Sequence, residues 1–397
     1  MNKLEAKRHV IETLNMPQCK TYDLSKYLDV SKPVIIYGAG NIGQHTYKAF
    51  QEKGVTIYAF LDRMATPGQL VSDIPVYLPD DNILDAVIRK EANVFIAINF
   101  CPDDQYKRQE IIEHLKCLGY EKISYGYSHL SSLYIPQPFS LEAVDMELLH
   151  WGETRILQAL DLLKDDHSRS VFASNLRAHR TFDYDLAAVS YNTIQYFQPD
   201  VPFKKGYSRF VDCGAMNGDS FIKLLNYYNC DEYYAFEPSK RMYMELSKVL
   251  DELKYKINGK YMIFPWGVGK EANEVNFNIR TEGLSYCLKE SKNTSRLGYE
   301  VLGYDKIKIV RLDDVLIENN IMPTMIKMDI EGSELDAIKG CQKVIVNIEP
   351  DLAICVYHNV ADLWEIPLLL YKFVPNYQFY LRSHHLNTWE TVLYVTR

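Results

Sequence analysis

Two glycine turns in the sequence carry residue types expected at a nucleotide site, and they differ in charge. In the C-terminal turn, FVDCGAMNGD (210–219), Asp212 stands just before Gly214 and Gly218 at the end of a predicted buried strand. A carboxylate there disfavours a pyrophosphate and favours a cationic ligand by short-range Coulomb attraction. Glu237 ends the next predicted strand, where a carboxylate accepts hydrogen bonds from ribose hydroxyls. A cationic, ribose-bearing ligand without phosphate describes S-adenosylmethionine, which we therefore expect at this turn.

The N-terminal turn, VIIYGAGNIG, predicts a different ligand. Its glycines match G-x-G-x-x-G between a strand and a helix, at Gly38, Gly40 and Gly43. Asn41 opens the helix, and Asp62 follows the glycines by about twenty residues, at the end of the next strand. Backbone amides at a helix N-terminus suit phosphate groups, so a nucleotide or nucleotide-sugar is expected here. The alternative is a vestigial nucleotide-binding fold retained as a scaffold.

Charged side chains collect at the predicted carboxyl end of the strand TMIKMDIE. Lys327 and Asp329 share one face of this strand, Glu331 closes it, and His358 ends the adjacent predicted strand DLAICVYH. Ligands of doubly wound sheets lie over these strand ends, so we predict all four residues to be catalytic. The unperturbed pKa of histidine, about 6.5, suits His358 to general base catalysis. The alternatives are a helix cap for Asp329, a hydrogen-bonded core side chain for His358 and an ordinary ion pair for Lys327.

Several further residues are predicted to line the cofactor site because they flank these elements: Asp219, Pro238, Trp266, Gly267 and Ser285. Trp266 would stack on the adenine or else fill the core. Ser285 lies in a polar insert that reads as a lid or as a plain surface loop. A magnesium site formed by Asp329, His358 and Asn359 is an alternative that the histidine disfavours, so the sequence predicts no metal.

Strand and helix patterns alternate twice along the chain, which predicts two doubly wound Rossmann-like domains. The first is expected over residues 1–130, a helical linker region over 131–205, and the second domain over 206–397. The last two predicted strands, YQFYLRSH and ETVLYVTR, form a hairpin. The second sheet should therefore end in antiparallel pairing, unlike that of a dehydrogenase half.

Composition narrows the classes of function. The 397 residues carry a net charge of −8, which argues against a nucleic-acid binder. No apolar run approaches the roughly 20 residues of a membrane span. The 8 cysteines form no CxxC pair, so neither a zinc site nor a disulfide framework is indicated, and a cytoplasmic location is expected. A homodimer is the base-rate expectation.

The C-terminal half resembles the FkbM family of S-adenosylmethionine-dependent methyltransferases. The likeness rests on FVDCGAMNGDSF, YYAFEPS, VRLDDVL and above all IKMDIEGSELDAIKGC, and it covers residues 206–397. The tail YHNVADLWEIP is similar to a branch found in bacterial capsule and lipopolysaccharide gene clusters. Residues 1–130 resemble nucleotide-sugar-binding domains of glycan-modifying enzymes, through the glycine turn and AFLDR.

The resemblance implies a class I methyltransferase sheet in the second domain and a cytoplasmic O-methyltransferase that acts on a hydroxyl of a sugar or glycan precursor. Two other functions stay open at this stage. One is an NAD(P)- or nucleotide-sugar-dependent enzyme that uses the N-terminal turn. The lack of a well-placed Tyr-x-x-x-Lys pair in the N-terminal block argues against this function. The other is a non-catalytic assembly protein with two degenerate nucleotide folds, against which the intact Asp212, Gly214, Gly218 and Glu237 argue.

Overall fold

The structure is a computed structural model of the chain. It describes residues 1–19, 23–98, 105–126, 129, 152–186, 194–280, 301–385 and 388–397. Among these residues, no helix combines the length and the apolar character needed to cross a bilayer. The chain begins with helix α1 (Lys3–Leu14), followed by two regions of alternating strands and helices.

The N-terminal region is built on a six-stranded sheet. Its strands are β1 (Val34–Tyr37), β2 (Ile57–Leu61), β3 (Leu70–Val71), β4 (Ile74–Tyr77), β5 (Asn93–Ile96) and β6 (Lys122–Ser124). Its helices are α2 (Asn41–Glu52), α3 (Ala86–Glu91) and α4 (Gln105–Cys117). The strand order is β3-β4-β2-β1-β5-β6, and β1 pairs in parallel with β2 and β5. Both faces of β1 are buried, which explains its unbroken apolar run.

The segment after Asp62 adds two strands to the N-terminal sheet. It contains the short β3 and β4, which pair antiparallel, and β4 then joins β2 in parallel. The two-residue β3 is too short for its alternation to be recognised in the sequence.

The C-terminal region contains a seven-stranded sheet and a separate three-stranded sheet. The strands are β7 (Arg209–Cys213), β8 (Glu232–Phe236), β9 (Tyr261–Phe264), β10 (Trp266–Val268), β11 (Asn273–Arg280), β12 (Val301–Val310), β13 (Met325–Met328), β14 (Asp351–Cys355), β15 (Gln378–Ser383) and β16 (Thr391–Thr396). The helices, numbered from the segment before β7, are α5 (Glu153–Leu162), α6 (Asp166–Thr181), α7 (Asp219–Tyr227), α8 (Lys240–Leu253), α9 (Leu312–Glu318), α10 (Glu334–Gly340), α11 (Gln342–Ile348) and α12 (Asp362–Phe373).

The large sheet has the order β15-β16-β14-β13-β7-β8-β9. Five strands from β14 to β9 run parallel, whereas β16 pairs antiparallel with β14 and β15. The predicted α/β class and the antiparallel hairpin at the end of this sheet are confirmed. The continuous stretch YMIFPWGVG forms two strands in different sheets, because Trp266–Val268 pairs with β12 in the small sheet.

The helices before β7 pack against the hairpin side of the large sheet. Lys164 donates its backbone N–H to the carbonyl of Phe379 at 3.0 Å, which covers the outer edge of β15. Buried Arg382 joins Asp165 and Asp200 at 2.7 and 2.8 Å. Helix α1 contributes Ala6 and Val10 to the same core. The first helix thus packs on the C-terminal region, and the proposed domain boundaries stay a prediction.

Candidate active site

The C-terminal glycine turn leaves β7 at the centre of the large sheet. Gly214 has φ +80° and lies so close to the next strand that a Cβ would stand 1.8 Å from the carbonyl oxygen of Asp329. Gly218 has φ +89° and precedes α7, where no side chain caps the helix. Gly214 is partly exposed and Gly218 is buried, so only part of the turn faces the carboxyl ends of the strands, the place where such sheets bind nucleotides.

Glu237 follows β8 and lies on one side of this turn. Its carboxylate accepts hydrogen bonds from the backbone amides of Met216 at 2.9 Å and Ser239 at 2.8 Å, one on each oxygen. The residue is 6% exposed, and burial raises its pKa. A carboxylate oxygen can accept more than one hydrogen bond, so Glu237 keeps capacity for ribose hydroxyls. Pro238 follows it at the rim of the turn.

Asp212 and Lys327 form a buried ion pair beneath the turn. The two side chains meet at 3.0 Å, and Asp212 also accepts hydrogen bonds from Ser220 and from Tyr233. Lys327 donates to the carbonyl of Gly214 at 2.7 Å. Although burial opposes its charge, Asp212 and then Asp329 raise the pKa of Lys327. Asp212 is fully buried and compensated, so it does not present the free negative charge on which its predicted role relied.

Asp329 follows β13 and lies on the other side of the turn from Glu237. Its carboxylate accepts hydrogen bonds from the hydroxyls of Tyr196 at 2.6 Å and Tyr357 at 3.4 Å. Burial opposes ionisation, but the charges of Lys327 and His358 hold the pKa of Asp329 below its ordinary value. Its side chain is 23% exposed, so an ionised oxygen at this strand end is accessible.

His358 lies among three carboxylates. Its Nδ1 is 2.9 Å from Glu334, and its Nε2 is 3.5 Å from Glu331 and 3.6 Å from Asp329. Burial opposes its charge, but Glu334 and Glu331 raise the pKa of His358 to about 10. In this arrangement the imidazole is protonated near neutral pH and cannot accept a proton. The carboxylate of Asp329 beside it is held in the ionised form.

The other residues predicted for the cofactor site make contacts of different kinds. Asp219 is in the first turn of α7, half exposed and 3.6 Å from Lys223. Trp266 has its ring stacked on Phe264, with the ammonium of Lys308 4.1 Å from its centroid. Gly267 is a packing position, since a Cβ there would meet Ile309 at 2.6 Å. Ser285 lies outside the described residues.

Sequence reasoning missed four side chains that converge on Asp329 or His358: Tyr196, Glu334, Tyr357 and Glu390. Glu334 lies in the same signature run as Glu331. The sequence therefore showed a carboxylate there, but not that its side chain points toward His358. Tyr196 and Glu390 come from segments far from β13 in the chain. Nothing in their local sequence indicates that they reach this site.

The N-terminal turn has a closely similar frame. Asp62 accepts hydrogen bonds from the backbone amides of Ala39 and Met64, each at 2.9 Å. Gly43 packs on the turn, where a Cβ would stand 1.8 Å from the carbonyl oxygen of Gly38. Gly40 precedes α2, and Asn41 is its first residue. The structure thus brings the predicted residues of the second nucleotide site together.

These features define a methyltransferase-type α/β fold with a second, largely parallel sheet before it. Residues 212–381 match the methyltransferase FkbM domain family. No curated protein matches the chain.

A solved structure with a TM-score above 0.5 supports the fold. A crystal structure of methyltransferase FkbM from Methylobacillus flagellatus KT covers 99% of this chain and 100% of its own, with 20% identity and a TM-score of 0.67. An rRNA methylase from Streptococcus thermophilus matches 48% of this chain and 87% of its own at 14% identity and a TM-score of 0.29. A putative rRNA-methylase from Clostridium thermocellum matches 48% and 86% at 8% identity and a TM-score of 0.26.

Proposed function

We propose that the chain is an S-adenosylmethionine-dependent O-methyltransferase that acts on a hydroxyl of a sugar or glycan precursor. One observation carries this proposal: Glu237 and Asp329 follow the two strands that flank β7, so two carboxylates stand on either side of the partly exposed turn at Gly214. One is suited to hold a ribose and the other to receive a proton. The FkbM domain supplies the methyl-transfer class.

The residues around the turn fit this cofactor. Gly214 offers partly exposed backbone without a side chain, and Glu237 retains acceptor capacity. Because Lys327 neutralises Asp212, the carboxylates that would attract a cationic ligand are those of Asp329 and Asp219, which are more exposed. When bound, S-adenosylmethionine supplies a methyl group on a positively charged sulfur to the acceptor oxygen.

Asp329 is the proposed general base. Its carboxylate would take the proton of the acceptor hydroxyl as the oxygen becomes nucleophilic, and Tyr196 fixes its orientation through the 2.6 Å hydrogen bond. Lys327 and His358 act as positioning residues, because both are buried and hold charges that keep Asp329 ionised. Holding the acceptor oxygen about 3 Å from the methyl carbon would supply much of the acceleration. Glu331 lies at the rim of the same group.

The acceptor and the setting belong to the same proposal. The N-terminal turn would hold a nucleotide or nucleotide-sugar, with Asp62 on the ribose, and so recognise a nucleotide handle of the acceptor. The product would enter a bacterial surface polysaccharide such as a capsule or lipopolysaccharide. A cytoplasmic location is supported by the free thiols of the described cysteines, Cys19, Cys117, Cys213, Cys230, Cys341 and Cys355.

Calorimetric titration with S-adenosylhomocysteine tests the cofactor assignment. Glu237→Gln should weaken binding by about 10- to 100-fold, the effect of losing a charged hydrogen-bond acceptor. Asp62→Asn makes the matched change at the other turn and should leave this affinity unaltered. Wild-type affinity in Glu237→Gln, or an equal loss in Asp62→Asn, would refute the assignment of the cofactor to the C-terminal turn.

A further inference from the structure

Three potential metal ligands converge beside the proposed base. Asp329, Glu334 and His358 each place one ligand atom within 4.8 Å of the other two. They come from three elements, namely the end of β13, the start of α10 and the segment after β14. Glu334 is fully buried, and the side chain of His358 is 8% exposed. The group is therefore an interior cluster rather than a set of solvated surface acids.

Part of this cluster is unsatisfied. One oxygen of Glu334 accepts the backbone amide of Ile330 at 2.9 Å, but its Oε2 has no hydrogen-bond partner among the described residues. Neither ring nitrogen of His358 makes a hydrogen bond of good geometry there, despite the 2.9 Å approach of Nδ1 to Glu334. Buried polar atoms without partners are rare in native proteins because each raises the free energy of the fold. Their convergence points to a ligand.

The local charge indicates a cation. Glu331 and Glu390 add further carboxyl groups around Asp329, and Asp362 adds one beside Glu334. Lys327 is already paired with Asp212. Asn359, the third ligand considered in the sequence, donates to Asp362 at 2.8 Å and so belongs to a different contact. A divalent cation would take the place of the proton on His358, because only the neutral imidazole can bind a metal, and would compensate the carboxylates in its stead.

We propose that Asp329, Glu334 and His358 bind a divalent transition-metal cation such as Mn²⁺. One imidazole with two carboxylates suits first-row transition metals, whereas Mg²⁺ prefers oxygen ligands alone. The role of this cation rests on the proposed function: beside Asp329 it would lower the pKa of the acceptor hydroxyl. Its binding does not depend on that function.

Electron paramagnetic resonance of Mn²⁺ with chelator-treated full-length protein tests the site. The wild type should bind one Mn²⁺ per chain, with excess Mg²⁺ competing weakly. Glu334→Gln should weaken binding by at least about 10-fold, a loss that even outer-shell partners of metal sites cause. Asp336→Asn is the matched control, because Asp336 lies on the same helix but pairs with Lys339 at 2.9 Å. Asp329→Asn is a second, more exposed variant in case Glu334→Gln fails to fold.

Two outcomes would overturn the proposal: a wild-type protein that binds no Mn²⁺, or a loss in Asp336→Asn equal to that in the ligand variants. S-adenosylhomocysteine titration in excess chelator separates this inference from the proposed function. Mn²⁺ binding without cofactor binding would leave the metal site standing and remove the methyl-transfer role. Cofactor binding without Mn²⁺ binding would do the reverse.

Discussion

The two glycine turns of this chain share the same backbone arrangement and differ in the side chains that lie beside them. Residue Tyr37 pairs with Leu61 in the N-terminal sheet, as Cys213 pairs with Phe236 in the C-terminal sheet. The next residue on each second strand is the acid, Asp62 or Glu237. Both acids accept a backbone amide of their glycine turn and the amide two residues further along their own chain. The same arrangement of a glycine turn and an acid is therefore present twice.

The neighbouring strand on the other side makes the difference. Ile36 pairs with Phe95 in the N-terminal sheet, where the C-terminal sheet pairs Asp212 with Lys327. One step further, Gly38 packs on Ala97, whereas Gly214 packs on Asp329. The N-terminal sheet thus has an apolar pair and an alanine at the positions where the C-terminal sheet has an ion pair and an ionised carboxylate. The two glycine turns therefore share a backbone arrangement, and the adjacent strand decides whether charged side chains lie beside it.

The largest expected effect comes from the buried ion pair. Lys327→Met leaves Asp212 charged and uncompensated, which should lower the free energy of opening β7 and β13 by about 3–5 kcal/mol. Hydrogen exchange of peptides from these strands measures it. Phe95→Leu, at the equivalent position of the N-terminal sheet, should lower the opening free energy of β1 and β5 by less than about 1.5 kcal/mol.

The double variant Asp212→Asn with Lys327→Met sharpens this test. It removes both charges, so it should recover part of the stability that Lys327→Met loses. If Lys327→Met proved no more damaging than Phe95→Leu, the ion pair would not distinguish the two sheets energetically.

A smaller effect is expected at the base. Tyr196→Phe removes the hydroxyl that donates to Asp329 and should destabilise this strand end by about 1.5–3 kcal/mol, because the acceptor is charged. Tyr120 is the neutral counterpart in the N-terminal region, donating to the carbonyl of Pro79 at 3.0 Å. Tyr120→Phe should cost about 0.5–1.5 kcal/mol. Urea unfolding measures the loss of stability in each variant. Equal losses would mean that the charge of Asp329 does not strengthen its hydrogen bond with Tyr196.

The smallest effect lies at the first residue of the helix after each turn. Asp219 opens α7 and Asn41 opens α2. Because a helix N-terminus favours negative charge, Asp219→Asn should lose about 0.3–1 kcal/mol in hydrogen exchange of α7. Asn41→Asp should stabilise α2 by a similar amount, while weakening the binding of UDP- or GDP-sugars in thermal-shift assays. A diphosphate ligand that binds Asn41→Asp as tightly as wild type would count against a phosphate site at this turn.

Much of the fold was readable from short stretches of the chain. The alternation of apolar runs with helical periodicity predicted both sheets, and the near-alternating pattern of the last two runs predicted the β15–β16 hairpin. The split of β9 from β10 was not predictable, because both belong to one continuous apolar stretch. Which sheet each half joins depends on β12, some forty residues away.

The sequence alone determined the two glycine turns, their acids and the signature run from which Lys327, Asp329 and Glu331 come, since these depend on spacing within one strand–turn–helix unit. Only the tertiary structure decided which charged side chains pair with one another. It paired Asp212 with Lys327, surrounded His358 with carboxylates and brought Tyr196 and Glu334 to Asp329. The physical reason is that a side chain's charge state and exposure depend on neighbours across the sheet, which strand order sets and local sequence does not encode.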